Sequence, residues 1–310
     1  GDLIAEIDGE EVRGLTLAEA VDKMRGAVNT PIELTILREG AAEPIKLTIV
    51  RDIIKVRAVR HRVEQDVGYI KINSFTEKTF DDLQTAIDDI KRQIPQDKLK
   101  GYVLDLRLNP GGLLDQAVSV SDTFLERGEI VSTRGRDPKN ITRFDARSGD
   151  RIDGKPMIVL VNGGSASASE IVAGALQDHR RATVLGTQSF GKGSVQTIIP
   201  LAESGALRLT TALYYTPAGT SIQGKGITPD IKVEQPLPED LLGRDVSRGE
   251  SELKGHIRGT QEDDAGSGSA AYVPPDPKDD VQLNYALNLL RGAETHAAFP
   301  PDPDKAVMNQ

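Results

Sequence analysis

Three serines alternate with alanines in the run SASAS at residues 165–169. A serine hydroxyl becomes a nucleophile when a base removes its proton and hydrogen-bond donors stabilise the oxyanion that forms on attack. Ser165, Ser167 and Ser169 lie in a turn that leads into a predicted helix, where unpaired N–H groups and the helix dipole favour an oxyanion. A serine at such a place is more often a helix cap than a nucleophile, so the run alone leaves both roles open.

The predicted geometry disfavours a histidine base. His179 follows Asp178, which suggests a Ser-His-Asp triad. If residues 168–180 form one helix, His179 lies 12 residues after Ser167, or about 18 Å along the helix axis. Adjacent helical residues also point about 100° apart. We therefore predict His179 at the surface near the end of a helix, where a positive charge is favoured.

Lys192 is the better candidate base, because it lies between Gly191 and Gly193 in a loop between two predicted strands. Glycine on each side allows a sharp turn and a close approach to another segment. A lysine acts as a general base when burial or a positive field lowers its pKa, and Ser-Lys pairs are a recognised variant of the triad. The alternative is an exposed or phosphate-binding lysine, although the phosphate-loop pattern GxxxxGK[ST] does not match.

Oxyanion donors have a second source in the run NPGG, where Gly111 and Gly112 follow a predicted strand and precede a helix. Backbone N–H groups in such a turn can point at a substrate carbonyl. An ordinary turn between a strand and a helix uses the same residue types, so this signal is also weak when taken alone.

The elements that would position these turns form a predicted α/β core. The run GYVLDLRL at 101–108 is nearly all apolar, as is typical of a strand covered by helices on both faces. NPGG leads from it into a helix from about 113 to 126, and MIVLVN, GGSAS and SEIVAGALQD repeat the pattern. Two such units predict a partly parallel sheet. Turns after parallel strands gather at one sheet edge, so we expect the glycine pair, the serine run and the Lys192 loop to meet.

The first 52 residues predict a smaller α+β unit. DLIAEIDG is a predicted strand that ends in a turn at Asp8–Gly9, and TLAEAVDKMRG is a helix with Thr16 as its N-cap and Glu19 completing a capping box. Two alternating runs then predict a hairpin. One face of the helix carries its larger apolar residues, Leu17, Val21 and Met24.

From about residue 236 the chain is polar and rich in Pro, Gly and Asp, which predicts a flexible tail over 236–310. One short helix is expected within it at about 279–291, because DDVQLNYALNLLRG begins with aspartates and ends with glycine. Its apolar residues share one stripe: Leu283, Ala286, Leu287 and Leu290.

The bulk composition excludes several classes of function. A formal net charge of −9 over 310 residues argues against a nucleic-acid partner. The absence of cysteine excludes disulfides and thiolate metal sites, and the four histidines lack HxxxH spacing, so no metal site is expected. No apolar run approaches the roughly 20 residues that a membrane-spanning helix needs.

Five motifs in this order carry a family resemblance: NPGG, SASASE, FGKGSVQ, LTTALYYTPAG and SIQGKGITPD. Together with the preceding α+β unit they resemble the carboxyl-terminal processing proteases, also called tail-specific proteases, of peptidase family S41. The resemblance implies that Ser167 is the nucleophile and Lys192 the general base. It also implies that Gln196 orients the lysine amine.

The same resemblance assigns supporting roles. It implies an oxyanion hole made of the Gly111–Gly112 turn and the N–H of Ala168. An acidic residue in the following helix matches Asp178, which the distance along that helix makes supporting rather than catalytic.

The implied fold is an α/β, ClpP/crotonase-like protease core over 53–235 with a PDZ domain over 1–52 before it and a largely irregular tail after it. The N-terminal part of the PDZ domain is expected to lie before Gly1. A PDZ domain captures an extended C-terminal peptide beside its helix. This assigns peptide binding to the helix face of Leu17, Val21 and Met24.

The implied function is that of a Ser-Lys endopeptidase that cleaves proteins near their C-termini, with the PDZ domain holding the substrate tail and gating activity. Its partners would be protein or peptide substrates with apolar C-terminal tails. No cofactor, no metal and no nucleic acid are expected. A homo-oligomer is possible, and the family resemblance implies a periplasmic or otherwise extracytoplasmic location.

Two other classes of function would use parts of the same pattern. The protein could be a non-catalytic PDZ-type scaffold that binds peptides, but Ser167 and Lys192 together would then have no use. A crotonase-like acyl-CoA enzyme would share the paired oxyanion turns, but no acidic acid/base pair stands out.

Overall fold

The computed structural model describes residues 2–38, 40–53, 57–137, 139–147, 149–201, 205–241, 248–259 and 266–306. The chain divides into two compact units, Gly1–Val56 and Arg57–Gln310, here called unit 1 and unit 2. The division falls slightly after the boundary predicted at residue 52. The segment after residue 236 belongs to unit 2.

Unit 1 is an antiparallel sheet with one helix. Its elements are β1 (Leu3–Ile7), β2 (Glu10–Glu11), α1 (Leu17–Met24), β3 (Pro31–Leu37) and β4 (Ile45–Val50). The strand order is β2-β1-β3-β4. The predicted capping box is confirmed, since Glu19 N–H donates to Thr16 Oγ1 at 3.3 Å and Thr16 N–H donates to Glu19 Oε2 at 2.8 Å.

Unit 2 contains a larger α/β structure. Its strands are β5 (Val59–Glu64), β6 (Val67–Ile72), β7 (Gly101–Asp105), β8 (Gly128–Gly135), β9 (Ile141–Ala146), β10 (Met157–Val161), β11 (Thr183–Gly186), β12 (Ser194–Pro200), β13 (Ala206–Tyr215) and β14 (Ile231–Lys232). Its helices are α2 (Thr79–Gln93), α3 (Leu114–Asp122), α4 (Ala168–Asp178) and α5 (Val281–Arg291).

The main sheet of unit 2 has the order β14-β11-β10-β7-β6-β5. All neighbouring pairs are parallel except β5, which is antiparallel to β6. The predicted partly parallel sheet is therefore confirmed. A second sheet is antiparallel and has the order β12-β13-β8-β9.

Alternate residues of the central strands enter two different cores. Tyr102 and Leu104 of β7 pack with residues of α2, α3 and α4, whereas Val103 packs with α5 on the opposite face. In β10, Val159 belongs to the same core as Leu104, and Ile158 belongs to the same core as Val103. Because both faces of these strands are buried, their sequences are apolar throughout, as predicted.

The predicted flexible tail needs correction for residues 266–306, which pack against the rest of unit 2. Helix α5 forms at the predicted place, with Asp280 as N-cap and Gly292 in the left-handed region at its end. Its apolar stripe completes the second core of unit 2. Flexibility was predicted because the segment contains few apolar residues. One amphipathic helix and backbone hydrogen bonds are nevertheless enough to hold the segment in place. Outside α5, its described part is irregular apart from short 3-10 turns, as expected.

Within the described ranges, no helix is both long and apolar enough to span a membrane.

The packing of α5 can be tested with Leu283→Ala. Leu283 is 2% exposed, and truncation of a fully buried leucine lowers the free energy of unfolding by about 2–5 kcal/mol. Val281→Ala is the matched control, because Val281 begins the same helix but is 44% exposed. Urea denaturation of the two variants measures the difference. Equal stability of both variants would contradict the docking of α5.

Candidate active site

Two of the three serines use their hydroxyls to hold the backbone. Ser165 Oγ donates to the carbonyl oxygen of Leu106 at 2.8 Å and accepts the N–H of Asn162 at 3.0 Å. Ser169 Oγ donates to the carbonyl oxygen of Asn109 at 2.8 Å. Both serines are fully buried. Their contacts join the serine turn to the segment that follows β7, which is a structural task.

Ser167 differs from its two neighbours. It is the N-cap residue of α4 and is half-buried, and its hydroxyl donates to no other residue in the described part of the chain. Its φ of 57° and ψ of −113° lie in a region that non-glycine residues rarely adopt. Such strain costs on the order of 1–3 kcal/mol and is often found at functional sites. Ser167 therefore has the exposure and strained backbone that its neighbours lack.

A buried carboxylate, Glu170, links the serine turn to the lysine loop. Its Oε1 accepts from Ser189 Oγ at 2.5 Å and from Gly191 N–H at 2.6 Å. Its Oε2 accepts from Ser167 N–H at 2.7 Å and from Lys192 N–H at 2.9 Å. Because one oxygen accepts from both residues, the backbone nitrogens of Ser167 and Lys192 lie no more than about 5.6 Å apart.

Glu170 was not predicted as a site residue, although its spacing from Ser167 gives a recognisable sequence pattern. Ser167 and Glu170 have the S-x-x-E spacing of a capping box, and the N–H of Ser167 does donate to the Glu170 side chain. Burial raises the pKa of Glu170 to about 7, even though its four hydrogen-bond donors act in the opposite direction. Glu170 is therefore about half ionised near neutral pH, and its proton is retained at lower pH.

Glycines let the Lys192 loop approach its neighbours closely, as predicted. A Cβ on Gly191, whose φ is 93°, would lie 2.6 Å from the Ser267 side chain. A Cβ on Gly193 would lie 2.2 Å from the backbone nitrogen of Gln223, and Gly193 N–H donates to Gln223 Oε1 at 3.0 Å. Lys192 itself is half-buried.

The glycine pair lies beside the serine turn. A Cβ on Gly111, whose φ is 100°, would lie 2.8 Å from Ser167 Cβ and 3.0 Å from the nitrogen of Ala168. The N–H of Gly111 already donates to Asn109 Oδ1 at 2.9 Å. By contrast, the N–H groups of Gly112 and Ala168 have no acceptor among the residues that the structure describes. These two groups are the free donors at the turn.

The remaining predicted residues lie farther from this cluster or outside it. Gln196 is exposed on β12 opposite Thr210, just after a shift in strand register, and its side chain has no hydrogen bond to a described residue. Asp178 ends α4, about 16 Å along the helix from Ser167. It accepts the N–H of Ala218 at 2.8 Å. His179 Nε2 lies 2.7 Å from the carbonyl oxygen of Glu129.

In unit 1, the three predicted peptide-binding residues do not share one environment. Leu17 is 82% exposed, whereas Val21 is half-buried. Met24 packs against the apolar core formed by Ile7, Ile32, Leu34 and Ile36. Met24 is half-buried, so only part of its side chain is taken up by this packing, and its assignment to a peptide-binding face stays a prediction.

No group of three or more residues that could hold a metal ion occurs among the described residues.

Replacing the buried carboxylate should change how stability depends on pH. Between the ordinary value of 4.5 and the folded pKa of about 7, the folded protein keeps the Glu170 proton that the unfolded chain releases. The contribution of Glu170 to stability is therefore complete below the lower value and falls by about 3 kcal/mol as the pH rises through this window. Glu170→Gln lacks this loss.

Urea denaturation from pH 4.5 to 8 provides the measurement. The free energy of unfolding of the parent, minus that of the variant, should fall as the pH rises. The exposed Glu77→Gln gives the baseline for a carboxylate outside the site. A difference that stays constant or rises with pH would contradict the burial argument.

Comparison with known proteins gives a consistent assignment. The model of peptidase family S41 matches residues 66–233. The carboxy-terminal-processing protease of Bartonella bacilliformis is 72% identical over 305 residues, which are 98% of this chain and 70% of the relative. The carboxyl-terminal-processing protease of Synechocystis is 39% identical over 241 residues, which are 76% of this chain and 55% of that relative.

A solved structure agrees with these sequences. The photosystem II D1 C-terminal processing protease superposes with a TM-score of 0.53 and 31% identity, over 79% of this chain and 68% of that one. The chain thus spans between about half and about two thirds of the length of these relatives. The mixed α/β fold, the family match and the high identity to the Bartonella protein lead to one conclusion: this chain belongs to peptidase family S41 and is a serine-type protease.

Proposed function

We propose that the chain is an endopeptidase that cleaves proteins near their C-termini, with Ser167 as nucleophile and Lys192 as general base. The observation that carries the proposal is the single oxygen of Glu170 that accepts the backbone N–H of both residues. This oxygen supports the pairing of Ser167 with Lys192 because it binds the backbone of two residues that lie 25 positions apart in sequence. The Bartonella and Synechocystis relatives are both named as carboxyl-terminal processing proteases, which supports cleavage near the C-terminus of the substrate.

The proposed reaction is acyl transfer. Neutral Lys192 takes the proton from Ser167 Oγ as this oxygen attacks the scissile carbonyl carbon. The resulting oxyanion accepts hydrogen bonds from Gly112 and Ala168, whose N–H groups have no acceptor among the described residues. Protonated Lys192 then donates to the leaving amine, and water releases the acyl group from the serine.

One assignment changes within this mechanism. Gly111 shapes the turn rather than donating to the oxyanion, because its N–H is already bonded to Asn109. Asp178 supports the backbone at residue 218 and takes no part in the chemistry. Gln196 keeps its proposed role in orienting the lysine, and its support is its position on β12, directly after the lysine loop.

The chemistry needs only a serine, a lysine and backbone donors, so we expect no cofactor or metal to take part. The arrangement of two donor turns at one edge of a parallel sheet supports a ClpP/crotonase-like core. Membership of family S41 disfavours an acyl-CoA enzyme. A homo-oligomer and an extracytoplasmic location stay predictions from the family resemblance.

For unit 1 we propose a PDZ-like role in holding the apolar C-terminal tail of a substrate. In this mode an extended peptide joins a sheet edge and places its side chains beside a helix. Edge strand β2 and helix α1 are joined by an ion pair between Glu10 and Lys23, which supports this arrangement. Leu17 and Val21 offer apolar contacts, and Met24 contributes the part of its side chain that does not pack against the core of unit 1.

The proposed pair of Ser167 and Lys192 is tested with the variants Ser167→Ala and Lys192→Ala. An unfolded protein with an apolar C-terminus is the substrate, and mass spectrometry of the shortened products gives the rate. Each variant should lose on the order of 1,000-fold or more in kcat, because the nucleophile and its base act as one unit. Ser119→Ala in α3 and Lys98→Ala on the surface are matched controls and should retain the parent rate.

The results of this cleavage assay distinguish a Ser-Lys protease from a non-catalytic scaffold. Full cleavage by Lys192→Ala would exclude the Ser-Lys pair, and full cleavage by Ser167→Ala would move the nucleophile elsewhere. A parent protein that binds the tail but cleaves nothing would favour the non-catalytic scaffold.

Tail binding by unit 1 is tested with Val21→Asp. Loss of an apolar contact of this size should raise KM for the same substrate about 10-fold. A simultaneous fall in kcat would support gating, whereas a change in KM alone would support tethering. Asp22→Ala, on the exposed side of α1, should leave both constants unchanged. An unchanged KM for Val21→Asp in a folded protein would exclude this face as the tail site.

A further inference from the structure

Arg107, just after β7, has no exposed surface and all of its side-chain N–H groups are bonded. A guanidinium has five N–H donors. Two of them meet Asp105 at 3.0 and 2.7 Å, and two meet Asp280 at 2.8 and 2.7 Å. The fifth meets Gln282 Oε1 at 3.0 Å. Asp280 and Gln282 lie at the start of α5, more than 170 residues later in the chain.

The charges around Arg107 balance. Lys71 Nζ lies 3.6 Å from Asp105 Oδ1 and donates to the carbonyl oxygen of Arg107 at 2.9 Å. Burial alone would raise the pKa of Asp105, but Arg107 and Lys71 hold it below its usual range. Burial alone would lower the pKa of Arg107, but Asp105 and Asp280 raise it. Asp105 and Arg107 therefore remain charged, and each depends on its neighbours in the cluster.

The backbone that follows Arg107 runs directly to the proposed oxyanion donors. Leu108 has a φ of 57°, which is strained for leucine, and its N–H donates to Asn162 Oδ1 at 3.1 Å. The carbonyl oxygen of Asn109 accepts from Ala166 N–H at 2.9 Å and from Ser169 Oγ at 2.8 Å. The glycine pair comes next. A strained turn of this kind keeps its shape only when its ends are fixed.

We propose that Asp280 is a positioning residue for the oxyanion-donor turn, residues 108–112. It completes the set of partners of Arg107, and Arg107 fixes the start of the turn that carries the N–H of Gly112. The inference rests on the proposed function, because it assigns the turn to the oxyanion. Asp280 itself contacts no reacting atom and acts through Arg107.

Asp280→Asn separates this role from helix capping. Asp280 Oδ1 also accepts the N–H of Leu283 and so caps α5 at 2.9 Å. Asparagine caps a helix as well as aspartate does, so α5 should persist. The amide, however, presents N–H groups to the guanidinium in place of one oxygen and carries no charge. Asp279→Asn is the matched control, because it removes the same charge one residue away from an exposed position.

Two measurements test the proposal at a temperature where both variants are folded. The kcat of Asp280→Asn should fall about 10- to 100-fold with KM within about threefold of the parent, since a displaced oxyanion donor acts on the transition state. Hydrogen exchange followed by mass spectrometry should be faster in peptides spanning 106–113 and unchanged in those spanning 281–292. Asp279→Asn should match the parent in both measurements.

Exchange over 106–113 that equals that of Asp279→Asn would overturn the proposal, whatever the activity. Faster exchange in α5 together with lost activity would also overturn it, because Asp280 would then act through the helix. Failure of the proposed function has a different signature: Ser167→Ala would cleave as fast as the parent, while the exchange measurement would still decide the role of Asp280.

Discussion

The site depends on one buried carboxyl group, that of Glu170. An ionised carboxyl group is costly to remove from water unless hydrogen bonds replace its hydration. At Glu170 four donors replace part of this hydration, three of them backbone N–H groups from the serine turn and the lysine loop. Those groups must stay in place for the charge to be tolerated, so the arrangement of Ser167 and Lys192 is coupled to the stability of the interior.

The parallel sheet explains why these segments meet at all. Strands β7, β10 and β11 are adjacent and parallel, so the turns after them emerge at the same edge. The glycine pair, the serine turn and the lysine loop are those three turns. Side chains of the strands alternate between two cores, which leaves the edge as the place where backbone groups remain open to a substrate.

Sequence patterns predicted the features of this structure that depend on residues close together in the chain. The burial of both faces of β7 and β10, the cap at Thr16 and the ends of α5 follow from residue type and spacing. Glu170 was missed because its sequence spacing describes only a capping box, while its other three partners come from the loop around residue 190. The core position of Met24 and the partners of Arg107 likewise depend on contacts between distant segments, which one sequence does not display.

The polar composition of the C-terminal segment has a physical reason. The lysine loop presents backbone carbonyls rather than apolar surface, and a polar side chain of the segment donates to one of them: Ser269 Oγ to the carbonyl oxygen of Gln188 at 2.6 Å. An apolar side chain at residue 269 would remove this donor, and a buried carbonyl left without a partner costs roughly 1–3 kcal/mol. Asp280 serves Arg107 in the same way. Polar residues that resemble a linker in sequence are therefore what the two turns of the site require as partners.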